Sequence, residues 1–125
     1  MVFITGGAYQ GKTGYAASEY APGDGGVFVC AEAPEIDFSA RCIDNAERFA
    51  LWCARNGSDA VEYFESHREE WRDSVIICED ISCGVVPMGA DMRVWREQNG
   101  RLCAYLAARA SAVIRMFCGL PQRLK

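Results

Sequence analysis

V-F-I-T-G-G-A-Y-Q-G-K-T, residues 2–13, sets an apolar run directly against a glycine-rich turn and a Lys-Thr pair. Val2 to Thr5 reads as a short buried strand and Lys12 to Tyr20 as a helix. Between them Gly6, Gly11, Lys12 and Thr13 satisfy the spacing G-x-x-x-x-G-K-[ST]. Glycine costs backbone order, so a cluster of it implies a geometric need. Here the need is for backbone N–H groups to wrap around anionic oxygens without side-chain clashes. The helix that follows adds its unpaired N–H groups and its positive dipole end. The spacing therefore predicts a triphosphate cradle formed by Gly6, Gly7, Ala8, Tyr9, Gln10, Gly11, Lys12 and Thr13. In it the Lys12 ammonium reaches the β- and γ-phosphates and the Thr13 hydroxyl ligates Mg²⁺. ATP or GTP is the expected nucleotide, because no base-reading motif separates them.

Working outward, A-P-G-D-G-G ends the first helix, and V-F-V-C (Val27 to Cys30) reads as a second strand. From Ile36 to Arg55 apolar residues recur at helical spacing, with Ile43, Ala46, Ala50 and Cys53 on one side. Asp59 with Glu62 three residues on resembles a capping box opening a helix to about Trp71. S-V-I-I-C (Ser74 to Cys78) is continuous and β-branched, as a central strand covered on both faces should be. A long helix is expected from Asp91 to Ala110, with Met92, Trp95, Leu102 and Leu106 as its buried stripe. A-V-I-R-M-F is then a strand, and L-P-Q-R-L-K one more edge strand. The order β-α-β-α-α-β-α-β-β implies an α/β three-layer sandwich with a mainly parallel sheet, the P-loop (RecA-like) class, in one domain over 1–125.

Half of the 125 residues are hydrophobic and 24% are charged, enough for a globular core. The net charge of -4 argues against a nucleic-acid partner. No apolar stretch is long enough to span a bilayer, and the N-terminus carries no basic leader with a secretory apolar run, so a cytoplasmic location is expected. Seven cysteines are present without a C-x-x-C pair, which favours reduced, buried thiols over a disulfide framework or a zinc site.

The strand at Val75 runs straight into Glu79 and Asp80. A carboxylate at the carboxyl end of a strand beside a phosphate loop can hold Mg²⁺ or orient an attacking hydroxyl. Chemistry alone leaves the choice between Glu79 and Asp80 open. With Lys12 they are the candidate catalytic residues, and Thr13 with Asp80 the candidate metal ligands.

F-I-T-G-G-A-Y-Q-G-K-T-G-Y-A resembles the opening of the adenosylcobinamide kinase / adenosylcobinamide-phosphate guanylyltransferase family, whose loop reads G-G-A-R-S-G-K-S. That family continues with a strand and N-E-V-G, then G-I-V-P-E-N, a helix with R-x-F-R-D-x-x-G-R-x-N-Q-x-L-A, and A-G-L-P-x-x-L-K. From Val75 to Lys125 the chain runs alongside without a gap. Gly84, Val86, Pro87, Arg93, Arg96, Gly100, Arg101, Leu106, Ala107, Gly119, Leu120, Pro121, Leu124 and Lys125 fall on the pattern. Tyr9 and Gln10 stand where the family has Arg and Ser, Asp80 falls on its Glu, Met88 and Gly89 on its E-N, and Cys103 on its Asn. The middle is short, and no segment reads R-I-x-x-H or ends a strand in D-C-L-T.

The resemblance implies a cobalamin-biosynthesis enzyme. It moves the γ-phosphoryl group of ATP or GTP to the hydroxyl of the aminopropanol arm of adenosylcobinamide, a corrinoid. It then moves GMP from GTP onto that phosphate through a guanylylated histidine. It also implies a homo-oligomer, a trimer. A nucleotide-binding regulatory protein without catalysis, or a P-loop kinase for another small molecule, are the other readings. His67, in E-S-H-R-E-E-W, is the one histidine; it is the nucleophile or a member of a solvated Glu/Arg helix face. Arg93, Arg96 and Arg101 clamp phosphates or corrin amides, or form the wet face of their helix. Trp52, Trp71 and Trp95 read as core or interface residues.

Overall fold

A computed structural model describes residues 1–82 and 89–125. Gly84, Val86 and Pro87, part of the family pattern, and Met88, one of the departures from it, lie outside the described residues. Among the described residues six strands, β1 (Val2–Gly6), β2 (Val27–Val29), β3 (Cys42–Asp44), β4 (Val75–Glu79), β5 (Ala112–Phe117) and β6 (Leu120–Arg123), form one sheet in the order β2-β3-β4-β1-β5-β6. All pairs are parallel except β5–β6, which close antiparallel at the edge. Five α-helices accompany them among the described residues: α1 (Lys12–Tyr20), α2 (Ala46–Asn56), α3 (Ala60–Ser66), α4 (Arg68–Trp71) and α5 (Ala90–Arg109).

Side chains alternate across each strand, so the register decides what each face buries. Ile43, Ile76, Phe3 and Val113 align across four strands and carry the core under α2, α3 and α5. Ile77, Ile4 and Ile114 align on the opposite face, where α1 places Ala16. The result is the three-layer α/β sandwich read from the pattern. Trp71 is wholly buried and its indole N–H donates to the Phe64 carbonyl at 2.7 Å, which satisfies the polar atom of that ring.

One expectation is corrected. Ile36–Arg55 is not a single helix: Cys42–Asp44 is a strand, and α2 starts only at Ala46. Three residues are too few for periodicity to register, and Ile43 happens to fit the helical stripe of Ala46, Ala50 and Cys53. Asn45 makes the change of direction in a left-handed conformation, φ 56°, which Asn tolerates better than most residues. Asp59 caps α3 as expected, accepting from the N–H groups of Val61 and Glu62, but α3 ends at Ser66 and α4 is a separate turn. Of the six described cysteines all are free; four are buried, whereas Cys103 is half-buried and Cys118 exposed.

A methyl group at Gly6 would lie 2.4 Å from the Met116 carbonyl oxygen, at a φ of +144°. Gly6→Ala is expected to destabilise the fold by about 3 kcal/mol or more. Gly14→Ala, in open space on α1, serves as the control that leaves the fold intact. Thermal unfolding by circular dichroism checks both; a Gly6→Ala midpoint equal to the parent's contradicts the assigned close approach.

Candidate active site

The loop between β1 and α1 is shaped by three left-handed or glycine-only positions. Gly6 has φ 144°, Tyr9 φ 57° and Gly11 φ 89°. The first helical bond of α1 runs from Tyr15 N–H to the Gly11 carbonyl at 3.0 Å, so the amides of Lys12, Thr13 and Gly14 face out of the helix end. Among the described residues no side chain caps that end, and no acid sits in its first turn, which leaves it open to an anion. Gln10 fastens the loop from within: its Nε2 donates to the Ala8 carbonyl and its Oε1 accepts from the Cys118 N–H in the β5–β6 turn. Gly7, Ala8 and Tyr9 form the outer bend, with the Tyr9 ring fully in solvent.

Lys12 lies across this loop. Its Nζ donates to the Gly7 carbonyl at 2.6 Å and sits 3.8 Å from a Glu79 carboxylate oxygen. The Thr13 hydroxyl donates to Asp44 Oδ2 at 2.7 Å, and Asp44 Oδ1 accepts from the Asn45 N–H at 2.7 Å. Gly6, Asp44 and Glu79 thus close the carboxyl ends of β1, β3 and β4, where α/β sheets bind ligands. Lys12, Thr13, Asn45 and Glu79 line one cavity of about 320 Å³.

Asp80 is placed differently from Glu79. Its N–H donates to the Gly6 carbonyl at 2.9 Å, extending the β1–β4 ladder by one residue. Its carboxylate accepts from the Ser82 N–H at 2.9 Å and from the Ser82 hydroxyl. Asp80 lines a second cavity of about 350 Å³, between α5 and the sheet, together with Phe3, Arg96, Asn99 and Val113.

Two carboxylates at this end of the sheet were not singled out in the sequence. Asp44 ends a short apolar run, as Glu79 does, and that was its available signal. Glu47 looks like an ordinary first-turn acid of α2, yet it is buried and its Oε2 accepts from the Glu79 N–H at 2.9 Å. Burial pushes the Glu47 carboxyl up; the Glu79 N–H opposes that shift, and the charges of Glu79 and Asp44 reinforce it.

The profile of one known family, described as cobinamide kinase / cobinamide phosphate guanyltransferase, matches residues 40–124. The chain belongs to this family. Its members are nucleotide-using transferases of cobalamin biosynthesis that act on cobinamide. No curated protein matches the chain. The family match starts just before β3, so the glycine-rich loop stands on its own motif and geometry. Cys42–Asp44, inside the matched range, is an apolar strand that ends in the Asp bonded to Thr13.

Among the described residues no three His, Cys, Asp or Glu side chains gather as a metal cage, and no helix is long and apolar enough to cross a membrane. His67 sits at the break between α3 and α4, outside both cavities described above. Its Nδ1 lies 2.8 Å from the Tyr63 carbonyl and its ring packs on Tyr63 and Phe38, centroids 4.3 and 5.3 Å away. Arg101 pairs with Asp59 at 3.2 Å, and Arg96 donates to the Ser82 carbonyl at 2.6 Å, while Arg93 is exposed. Trp71 is core; Trp52 is half-buried and stacks on Phe49; Trp95 is half-buried and donates its indole N–H to the Glu47 carbonyl at 2.8 Å.

The raised Glu47 carboxyl makes stability depend on pH with a defined sign. The folded chain holds this proton to higher pH than the unfolded chain does. That stabilisation is complete below the ordinary Glu range and is lost as pH rises through the shifted value. Glu47→Gln is therefore expected to melt higher than the parent at pH 7, with the gap closing as pH falls to about 4. A melting series across that range checks it; a gap that widens towards acid contradicts the buried-carboxyl assignment.

Proposed function

We propose that the chain is a phosphotransferase that moves the γ-phosphoryl group of ATP or GTP to the hydroxyl on the aminopropanol arm of adenosylcobinamide. The supporting observation is the meeting of Lys12, Thr13 and Glu79 in one cavity at the open end of α1, with the Thr13 hydroxyl held by Asp44. In this reading the loop amides and the Lys12 ammonium stabilise charge that develops on the transferred group. The acceptor oxygen attacks phosphorus, the bond to the β–γ bridging oxygen breaks, and nucleoside diphosphate leaves. Glu79 faces Lys12 across the site and takes the proton of the attacking hydroxyl.

The donors at Thr13 and Asp44 are hard oxygens and fit Mg²⁺, which accepts one or two protein oxygens and completes its shell with phosphates and water. Asp44 is favoured over Asp80 for this because Asp44 holds the Thr13 hydroxyl. The ion would neutralise charge on the β- and γ-oxygens. Asp80 and Arg96 line the neighbouring cavity, which fits the acceptor arm rather than the phosphates. The reading includes a cytoplasmic homo-oligomer, the trimer that the resemblance implies. It omits guanylyl transfer through His67, whose ring nitrogen Nδ1 is engaged with the helix backbone.

The test is incubation of the pure protein with labelled ATP or GTP, Mg²⁺ and adenosylcobinamide. Labelled phosphate on the corrinoid is the expected product; nucleotide binding without transfer would instead support the regulatory reading. Lys12→Ala is expected to weaken triphosphate binding by about ten- to a hundred-fold in calorimetry, the loss of one charge-assisted contact. Unchanged affinity would remove the cradle assignment. His67→Ala is expected to leave the transfer rate within about two-fold of the parent, as for a surface residue away from the reacting atoms.

A further inference from the structure

Glu79 is the last residue of β4, and its main-chain groups have an unusual destination. The Gly6 carbonyl takes the Asp80 N–H on the β1 side. In a parallel ladder alternate residues bond to alternate sides, so Glu79 directs its own N–H and carbonyl towards β3. β3 pairs with β4 only at Cys42 and Ile43, opposite Val75 and Ile76, and has ended before that point. Two buried side chains from different helices take the place of the missing strand. The Glu79 N–H donates to Glu47 Oε2 of α2 at 2.9 Å, and Asn99 Nδ2 of α5 donates to the Glu79 carbonyl at 2.9 Å.

These partners are themselves fixed. The Cys78 thiol donates to Asn99 Oδ1 at 3.1 Å, which turns the Asn99 amide so that its N–H₂ faces Glu79. The Trp95 indole, one turn before Asn99 on α5, donates to the Glu47 carbonyl at 2.8 Å. Glu47 and Asn99 are only 6% and 1% exposed. A carboxylate and an amide buried to this degree are costly unless each bond they make is needed. Water would satisfy a strand end of this kind equally well at a solvent-facing position. The bonds made here fix the peptide that carries the carboxylate facing Lys12.

We infer that Glu47 and Asn99 are positioning residues, a two-sided backbone clamp that aims Glu79 at the phosphoryl-transfer site. The inference rests on the reading of Glu79 as the residue facing the transferred group. It makes α2 and α5 joint guardians of one carboxylate: moving either helix turns Glu79 away from Lys12 while the loop amides that hold the triphosphate stay in place. The clamp therefore governs turnover and not nucleotide affinity.

The experiment measures kcat and nucleotide KM for phosphoryl transfer to adenosylcobinamide in the full chain, with Glu47→Leu, Asn99→Asp, Glu47→Gln and Glu79→Gln. Asn99→Asp keeps the shape and loses the donor; Glu47→Gln keeps an acceptor oxygen. Glu47→Leu and Asn99→Asp are expected to lower kcat about ten-fold or more with KM within about three-fold, and Glu47→Gln to restore most of kcat. Faster deuterium exchange of the Glu79 amide in Glu47→Leu, but not in Glu47→Gln, is expected alongside. Folded Glu47→Leu and Asn99→Asp with parental kcat, or losses that merely follow the folded fraction, overturn the clamp. A parental kcat in Glu79→Gln instead overturns the underlying reading of Glu79.

Discussion

The close main-chain approach at Gly6 governs the rest of the site. This residue sits in the middle of three strands, in register with Glu79 on one side and Met116 on the other. Its missing side chain lets β5 come so near that a methyl group would overlap the Met116 carbonyl. Its own carbonyl accepts from the Asp80 N–H. One position therefore fixes where the glycine-rich loop leaves the sheet, and how far β4 continues beside it. Were β1 to swing away to admit a side chain, the Lys12–Glu79 separation and the Thr13–Asp44 bond would change together, since Lys12 and Thr13 follow the loop that leaves β1 while Asp44 and Glu79 end β3 and β4.

Buried polar groups show where such a fold accepts cost for purpose. Asp44, Glu47, Ser74 and Asn99 are the buried polar or charged residues among those described. Three of them converge on the carboxyl end of the sheet: Asp44 on the Thr13 hydroxyl, Glu47 and Asn99 on the Glu79 peptide. A core seeking only stability places apolar groups at such positions, because replacing a buried polar network by hydrophobic residues is often neutral or stabilising. The concentration of polar burial at the open end of α1, and not elsewhere beneath the helices, is what a site built to handle charge requires.

How far this could be read from the letters depends on the kind of signal. The loop was legible because its glycines, Lys12 and Thr13 act through local spacing, and the strands β1, β4 and β5 because unbroken apolar runs are long enough to recognise. β3 was hidden: three residues give no period, and Ile43 falls on a helical stripe belonging to α2. With β3 hidden, Asp44 was hidden too, although C-I-D ends in an acid just as V-I-I-C-E does. Glu47 was beyond reach for a different reason. A Glu in the first turn of a helix is usually a solvated partner of the dipole, and only the third dimension shows it beneath Glu79. The choice between Glu79 and Asp80 follows the same rule. Sequence neighbours at a strand end face different directions, and here they line different cavities.

Charge supplies the last constraint. Around the Lys12 ammonium stand the carboxylates of Glu79, at 3.8 Å, and Asp44, bonded to the neighbouring Thr13. On the proposed reading a bare triphosphate meets these acids with like charge, in a partly enclosed space where repulsion is screened less than in water. Burial shifts Glu47 towards its neutral form and so moderates one further negative charge close by. On the same reading a triphosphate carrying a divalent cation would bring less net negative charge and would turn the cation towards Asp44, leaving Lys12 for the phosphoryl oxygens. On the proposed reading, acids that would repel the free nucleotide would favour its magnesium complex, the form in which part of the charge met in phosphoryl transfer is already neutralised.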